Sequence, residues 1–233
     1  MSDAAVKKSD LGVRTVSAIV MVAVAGAAIW GGGWYFDAFV LVLAILVFSE
    51  WRSLTATMLP TSLGNAFWNS IGLIYIGLAS ATLILLGRME TDGGLVELVP
   101  IALVAATDVG AYFLGRTIGG PKIAPQISPS KTWAGLLGGM IGAAVMMFLI
   151  TNFGDGVNQP TADKLLVSVL AMPVAIVAQL GDFFQSWMKR KAGVKDSGWL
   201  IPGHGGVFDR ADGLVAVLFV TGLWLLATNG FVF

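Results

Sequence analysis

The chain has 233 residues, 56% of them hydrophobic and 12% charged, with a mean hydropathy of +0.82, which excludes an ordinary soluble domain and makes lipid the solvent. Its 14 basic and 14 acidic residues cancel, so no general affinity for nucleic acid is expected and any basic site has to be local. The lack of cysteine removes disulfides, thiolate nucleophiles and cysteine metal sites, and leaves the redox compartment open.

Apolar segments long enough to cross a hydrocarbon core of about 30 Å are predicted at 14–31, 34–51, 69–87, 97–115, 133–151, 164–182 and 211–229. The first follows Lys7, Lys8 and Arg14 and contains "VAVAGA", which imitates a secretory signal. The long spans after it make it an uncleaved first helix. "WGGGWYF" between the first two spans is predicted to be a very tight turn. The amphipathic stretch 53–68, with Leu54, Met58, Leu59, Leu63, Phe67 and Trp68, suits an interfacial or re-entrant piece that would raise the helical segments to eight or nine. The expected fold is all-α: a polytopic membrane bundle of about seven transmembrane helices around a polar cavity open to the cytoplasm. One domain spans 1–233, with amino-terminal helices at 14–87 and the chemistry concentrated in 108–213.

Basic residues set the orientation. With the amino terminus in the cytoplasm, alternation places 12 of the lysines and arginines on that side and leaves Arg88 and Lys164, 2 in all, outside. The connections "RMETDGGLVE" and "TNFGDGVNQPTAD" on the other side are acidic or neutral. Loops 116–131 and 188–210 then face the same compartment.

Polar residues inside the spans need reasons. An ionised Asp108 in the fourth span costs a few kcal/mol without a partner. Spacing of four aligns it with Tyr112 and Arg116, with Gly115 and Gly119 allowing close backbone approach; a structural ion pair with another helix explains Asp108 equally well. In the sixth span, Gln179, Asp182, Gln185 or Ser186, and Lys189 draw a polar stripe into a charged loop, an arrangement suited to a cation and a phosphate, or to a polar seam without chemistry.

The loop that follows contains "PGHGG", whose proline and glycines require turn geometry and offer backbone N–H groups to an anion. His204, Gly205 and Gly206 are therefore candidate phosphate contacts. The lone His204 also suits a hydrogen-bonded turn, and one histidine cannot build a zinc site. Asp209 and Asp212, one helical turn apart, offer hard oxygen ligands for magnesium; with Asp182 and Asp108 they complete the candidate metal ligands. The loop "GRTIGGPKIAPQISPSKTW" lacks the GxxxxGK[ST] pattern of a Walker phosphate loop, yet Ser128, Ser130, Lys131 and Thr132 gather hydroxyl and ammonium donors just before the fifth span. An ordinary positive-inside loop explains its charges but not that run of hydroxyls.

"SPSKTWAG" together with "GDFFQSWMKRKAGVKDSGWLIPGHGGVFDRADG" resembles the membrane-integral phosphatidate cytidylyltransferases, also called CDP-diacylglycerol synthases. The likeness is densest from Asp108 to Gly213, with "SEW" at residues 49–51 a weaker match. It implies an enzyme of phospholipid biosynthesis in a bacterial plasma membrane that converts CTP and phosphatidic acid into CDP-diacylglycerol and pyrophosphate. It further implies a homodimer, with Mg2+ held by Asp182 and Asp209 and a potassium ion beside it. Two positions depart from the family pattern: Ala134 and Gln185 stand where many members carry glutamate, so neither can be an anionic ligand or base.

Because a lipid phosphate monoester is already anionic near neutral pH, this chemistry needs positioning and charge neutralisation rather than a strong base. Lys189, Arg190, Lys195 and Arg210, with Asp196 in the same motif, are the candidate catalytic group acting on the departing pyrophosphate. Ser128, Lys131, Thr132, Ser186, Tyr112 and Arg116 are candidate phosphate contacts, for either substrate. Two rivals stand beside this reading. A CTP-dependent polyprenol or phytol kinase would transfer the terminal phosphoryl group to an alcohol, and a transporter would use the intramembrane aspartates as pathway charges.

Overall fold

A computed structural model describes residues 3–59, 61–89, 96–153 and 160–228, with side chains from residue 11. Among these are eight α-helices: α1 (Asp3–Gly31), α2 (Gly33–Met58), α3 (Ser62–Arg88), α4 (Leu98–Thr117), α5 (Trp133–Phe153), α6 (Thr161–Leu170), α7 (Met172–Lys191) and α8 (Phe208–Ala227). Two short strands, β1 (Lys122–Ala124) and β2 (Ser128–Thr132), form an antiparallel hairpin between α4 and α5. Seven spans are long and apolar enough to cross a membrane, α6 and α7 together forming the sixth. The side chains of Lys7 and Lys8, residues 90–95 and 154–159 of the acidic connections, and the predicted end of the last span at 229 lie outside the described residues.

The predicted number of crossings is therefore found, but several helices run further than their apolar cores. Stretch 53–68 forms no separate interfacial piece among the described residues: its first part continues α2 to Met58 and its second belongs to α3, which begins at Ser62. The Thr61 hydroxyl caps α3 by accepting from the Gly64 N–H at 3.3 Å. The sixth crossing ends at Lys191 rather than near 182, so Lys189 and Arg190 stand on helix, not in a loop. Between α1 and α2 the turn is a single residue, Gly32 at φ +55°, followed by Gly33 at φ +46°, backbone angles that favour glycine.

Packing divides the bundle. In lipid the helices gain little from hiding oil from oil, so van der Waals fit and polar links hold them. Around α2, α3 and α8 that fit is aromatic: fully buried Trp51 touches Trp68, Tyr75, Phe184 and Phe208 and donates its indole N–H to the Trp68 carbonyl at 3.0 Å. Between α4 and α5 it is backbone against backbone. A Cβ on Gly110, Gly138 or Gly142 would strike main-chain atoms of the facing helix.

Three contacts fix which ends share a surface. The Ser17 hydroxyl on α1 donates to the Pro202 carbonyl at 2.9 Å, and the Arg190 guanidinium on α7 donates to the Ile127 carbonyl of the hairpin turn at 3.5 Å. At the opposite end Arg88 pairs with Asp37. The start of α1, the hairpin and the 192–207 loop thus lie together at one end of the bundle.

Candidate active site

The polar stripe on α7 is the floor of the site. Gly181 lets α8 approach closely: a Cβ there would lie 2.6 Å from the Asp212 carbonyl oxygen, which brings the first turn of α8 alongside Asp182. From the other side the hairpin delivers Lys131, whose ammonium forms an ion pair with Asp182 and lies 4.7 Å from the Phe183 ring centroid. Ser186 donates to the second Asp182 oxygen at 3.2 Å.

Two adjoining cavities result. The larger, about 470 Å3, is lined by Asp108, Lys131, Gln179, Asp182, Lys189, Asp196, Asp209, Arg210 and Asp212. The smaller, about 360 Å3, is lined by Asp108, Tyr112, Arg116, Ser130, Lys131, Thr132, Gln179 and Asp182. All four predicted metal ligands and most of the predicted cationic and hydroxyl groups, from two separate sequence regions, therefore border two cavities that share Asp108, Lys131, Gln179 and Asp182.

Several predicted residues stand elsewhere or, like Thr132 and Arg210, line a cavity with their polar groups engaged by the backbone. Arg190 staples the hairpin from outside, Lys195 is exposed, and neither lines these cavities. Ser128 opens β2 opposite Ala124. Ser186 meets the site through Asp182. Thr132 is buried and its hydroxyl oxygen accepts the Gly135 N–H at 3.0 Å, setting the start of α5. The "PGHGG" turn directs its N–H groups inward: those of His204 and Gly205 donate to the Ile201 carbonyl at 2.9 and 3.2 Å, and that of Gly206 donates to Asp209 Oδ2 at 2.9 Å. Arg210 clamps the same turn, donating to the His204 carbonyl at 2.8 and 3.2 Å.

The two central aspartates differ in their commitments. Asp209, with a side chain 5% exposed, accepts from Gln185 at 3.0 Å and Lys189 at 2.7 Å on Oδ1, and from the N–H groups of Ser197 at 2.8 Å and Gly206 at 2.9 Å on Oδ2. Four donors use the whole acceptor capacity of a carboxylate. Asp182, with a side chain 37% exposed, meets only Ser186 and Lys131. Gln185, which the sequence marks as the loss of an acid, is fully buried and supplies a donor where a glutamate could not.

One participant escapes the sequence reading. Glu50 on α2, 4% exposed, accepts from the Ser197 hydroxyl at 2.7 Å and from the Val207 and Phe208 N–H groups at 2.9 Å each. The last two are orphan donors at the start of α8, where negative charge is favourable. Glu50 and Asp209 thus hold the 197–208 loop from both sides. The one available sign is a carboxylate just inside the predicted second span, within the weaker "SEW" match.

The donor set suits a divalent cation only in part. Among the described residues no three acidic or histidine side chains form a complete protein cage. Mg2+ commonly takes only one or two carboxylates and fills its octahedron with water and phosphate oxygens. Asp182, with Asp108 and Asp212 near enough to interact electrostatically with it, fits such an incomplete shell.

A sequence profile of the Cytidylyltransferase family matches residues 59–227. The chain belongs to this family. It is 35% identical over 250 residues to a phosphatidate cytidylyltransferase of Brucella suis biovar 1, an alignment covering 89% of this chain and 90% of the relative. It is likewise 35% identical over 225 residues to one of Rickettsia bellii, with 94% of each covered. With one of Haemophilus influenzae it shares 37% identity over 200 residues, covering 80% of this chain and 69% of the relative. The family match takes in α3 to α8 with the hairpin, and so contains both cavities; Glu50 falls outside it and inside the polar network.

Proposed function

We propose that this member of the Cytidylyltransferase family is a phosphatidate cytidylyltransferase of a bacterial plasma membrane, transferring CMP from CTP to phosphatidic acid to give CDP-diacylglycerol and pyrophosphate. The observation that carries the reading is the polar space at one end of a membrane bundle, where Lys131 from the hairpin meets Asp182, Lys189, Asp209, Arg210 and Asp212 from α7 and α8. Such a place lets a water-borne nucleotide meet a lipid-borne phosphate. The distribution of lysine and arginine supports a cytoplasmic amino terminus, with this end of the bundle at the cytoplasmic face.

In this reading Asp182 and Asp212 would hold Mg2+, which when bound neutralises the triphosphate and polarises the phosphorus under attack. Asp209 would join them where Lys189 releases its oxygen. Lys189 and Arg210 balance the charge that grows on the departing pyrophosphate; Arg190 and Lys195, expected in the same role, stand outside both cavities. Lys131 holds phosphate oxygens from the hairpin side. Asp196 borders the same space, and Ser186 steadies the Asp182 carboxylate. No side chain has to remove a proton, because the lipid phosphate arrives as an anion. A potassium ion beside the magnesium and a homodimeric assembly complete the proposal on the strength of the family resemblance.

Purified protein supplied with phosphatidic acid and CTP labelled at the α-phosphorus should place label in lipid, and only with Mg2+. Label entering lipid from the γ-phosphorus would instead make the protein a kinase. Solute flux across sealed vesicles without nucleotide would make it a transporter.

A further inference from the structure

The two cavities differ in their surroundings. They share Asp108, Lys131, Gln179 and Asp182, so the Lys131–Asp182 ion pair stands between them as a common wall. The larger lies against α7 and α8 and carries Lys189, Arg210 and the aspartates. The smaller lies against α4, whose other face is turned out of the bundle: Val109, Tyr112 and Phe113, with Ile118 just past its end, are all more than half exposed. Since α4 is long and apolar enough to span a membrane, an outward apolar face on it suits acyl chains. Tyr112 belongs to both surroundings, lining the smaller cavity while 58% exposed beside Phe113.

Arg116, one turn on, also lines the smaller cavity and donates to the Tyr112 hydroxyl at 3.0 Å. Among the described residues it forms no ion pair with a carboxylate, and its guanidinium has several N–H groups to spare. A basic fork beside a hydroxyl, at the lipid-facing edge of a polar space, matches a phosphate monoester carried on a hydrophobic stem. With about 360 Å3 the cavity holds a headgroup and leaves two acyl chains in the bilayer.

Resting on the cytidylyltransferase reading, we propose that the two cavities are separate substrate lobes: Arg116, Tyr112 and Ser130 hold the phosphate of phosphatidic acid in the α4 lobe, and the triphosphate of CTP occupies the α7–α8 lobe. Reaction then takes place across the Lys131–Asp182 wall. A lipid phosphate oxygen forms a bond to the α-phosphorus while the bond from that phosphorus to the α–β bridging oxygen breaks. Pyrophosphate leaves with the electron pair, and no proton or co-reactant is needed.

The test uses full-length protein in mixed micelles with α-labelled CTP, varying the surface fraction of phosphatidic acid and the CTP concentration independently. Wild-type protein must first label lipid; failure there removes the functional reading and the lobe assignment with it, whereas labelling by wild type with the wrong variant pattern below removes the lobe assignment alone. Arg116→Gln should then raise the KM for phosphatidic acid about tenfold or more, the usual weight of a charge-assisted phosphate contact, with the CTP KM within about twofold of wild type. Arg116→Lys should recover part of the loss, and Tyr112→Phe should shift the same constant less. Arg210→Gln should show the reverse pattern, raising the CTP KM. The assignment is overturned if Arg116→Gln raises the CTP KM selectively, or if it changes neither constant.

Discussion

The half of the bundle built on α2, α3 and α8 and the half built on α4 and α5 are packed by opposite means. Around Trp51 the space is filled by large rings whose side chains interlock. Between α4 and α5 there is nothing to fill, because glycines bring the main chains together. Helix α7 touches both, and the site lies where they meet. From the aromatic half comes restraint, as Glu50 and Asp209 tie the 197–208 loop through five hydrogen bonds and Asp209 takes two more from Gln185 and Lys189 on α7. From the glycine half come the loosely held groups, Lys131, Arg116 and Tyr112. A site that must change partners during a reaction has its rigid members on one side and its exchangeable ones on the other.

Substitutions sharpen this contrast. The largest expected effect is at Asp182: Asp182→Asn should lower CMP transfer by at least about 10³-fold while leaving the melting temperature in detergent unchanged. Asp209→Asn should also stop turnover, but it leaves the Lys189 ammonium uncompensated and should cost about 3 kcal/mol of stability. If both variants melt like wild type, the division between restraining and exchangeable groups is broken. Next comes Lys131→Ala, which should slow turnover by about 10²-fold with a small change in melting temperature, since its partner Asp182 is partly solvated.

A smaller effect is expected at Glu50. Glu50→Gln turns an amide N–H2 toward donors, so a buried donor at the start of α8 goes unpaired at a cost of about 2 kcal/mol. Activity should fall about tenfold through a misplaced Asp209, and an unchanged melting curve would remove Glu50 from the restraint. Smallest is Gly138→Ala. Its methyl group would sit 2.7 Å from the Leu114 Cβ, and overpacking of this kind costs about 1–2 kcal/mol. Gly77→Ala, with nothing within 4 Å, should be neutral, and equal melting of the two would show that the seam can relax.

Hydropathy made the seven crossings legible, because a bilayer demands long apolar helices and few other sequences have them. It could not show where those helices stop, since beyond the hydrocarbon a helix carries charge freely, as α7 does with Lys189, Arg190 and Lys191. The β1–β2 hairpin was hidden by Pro121, Pro125 and Pro129, residues that argue against strands. Motif reading found the aspartates and lysines of the site by type and spacing. Their duties were not legible: spacing cannot reveal that Asp209 has four donors around it or that Gln185 is needed as one of them. Glu50 was missed because its partners lie some 150 positions away, Val207 being 157 residues on.

The sixth crossing is made of two rods rather than one. Helix α6 stops at Leu170, Ala171 forms a turn, and α7 restarts with Pro173 in its opening turn, a sequence of events that marks a joint in a helix. Asp182 stands ten residues beyond the α7 start, about 15 Å along the axis. Bilayers thicken and thin with lipid composition, and a spanning segment answers by tilting or bending. The joint stands about midway between Thr161 and Asp182, so α6 can tilt to meet that adjustment apart from the stretch of α7 that carries the candidate-site carboxylate.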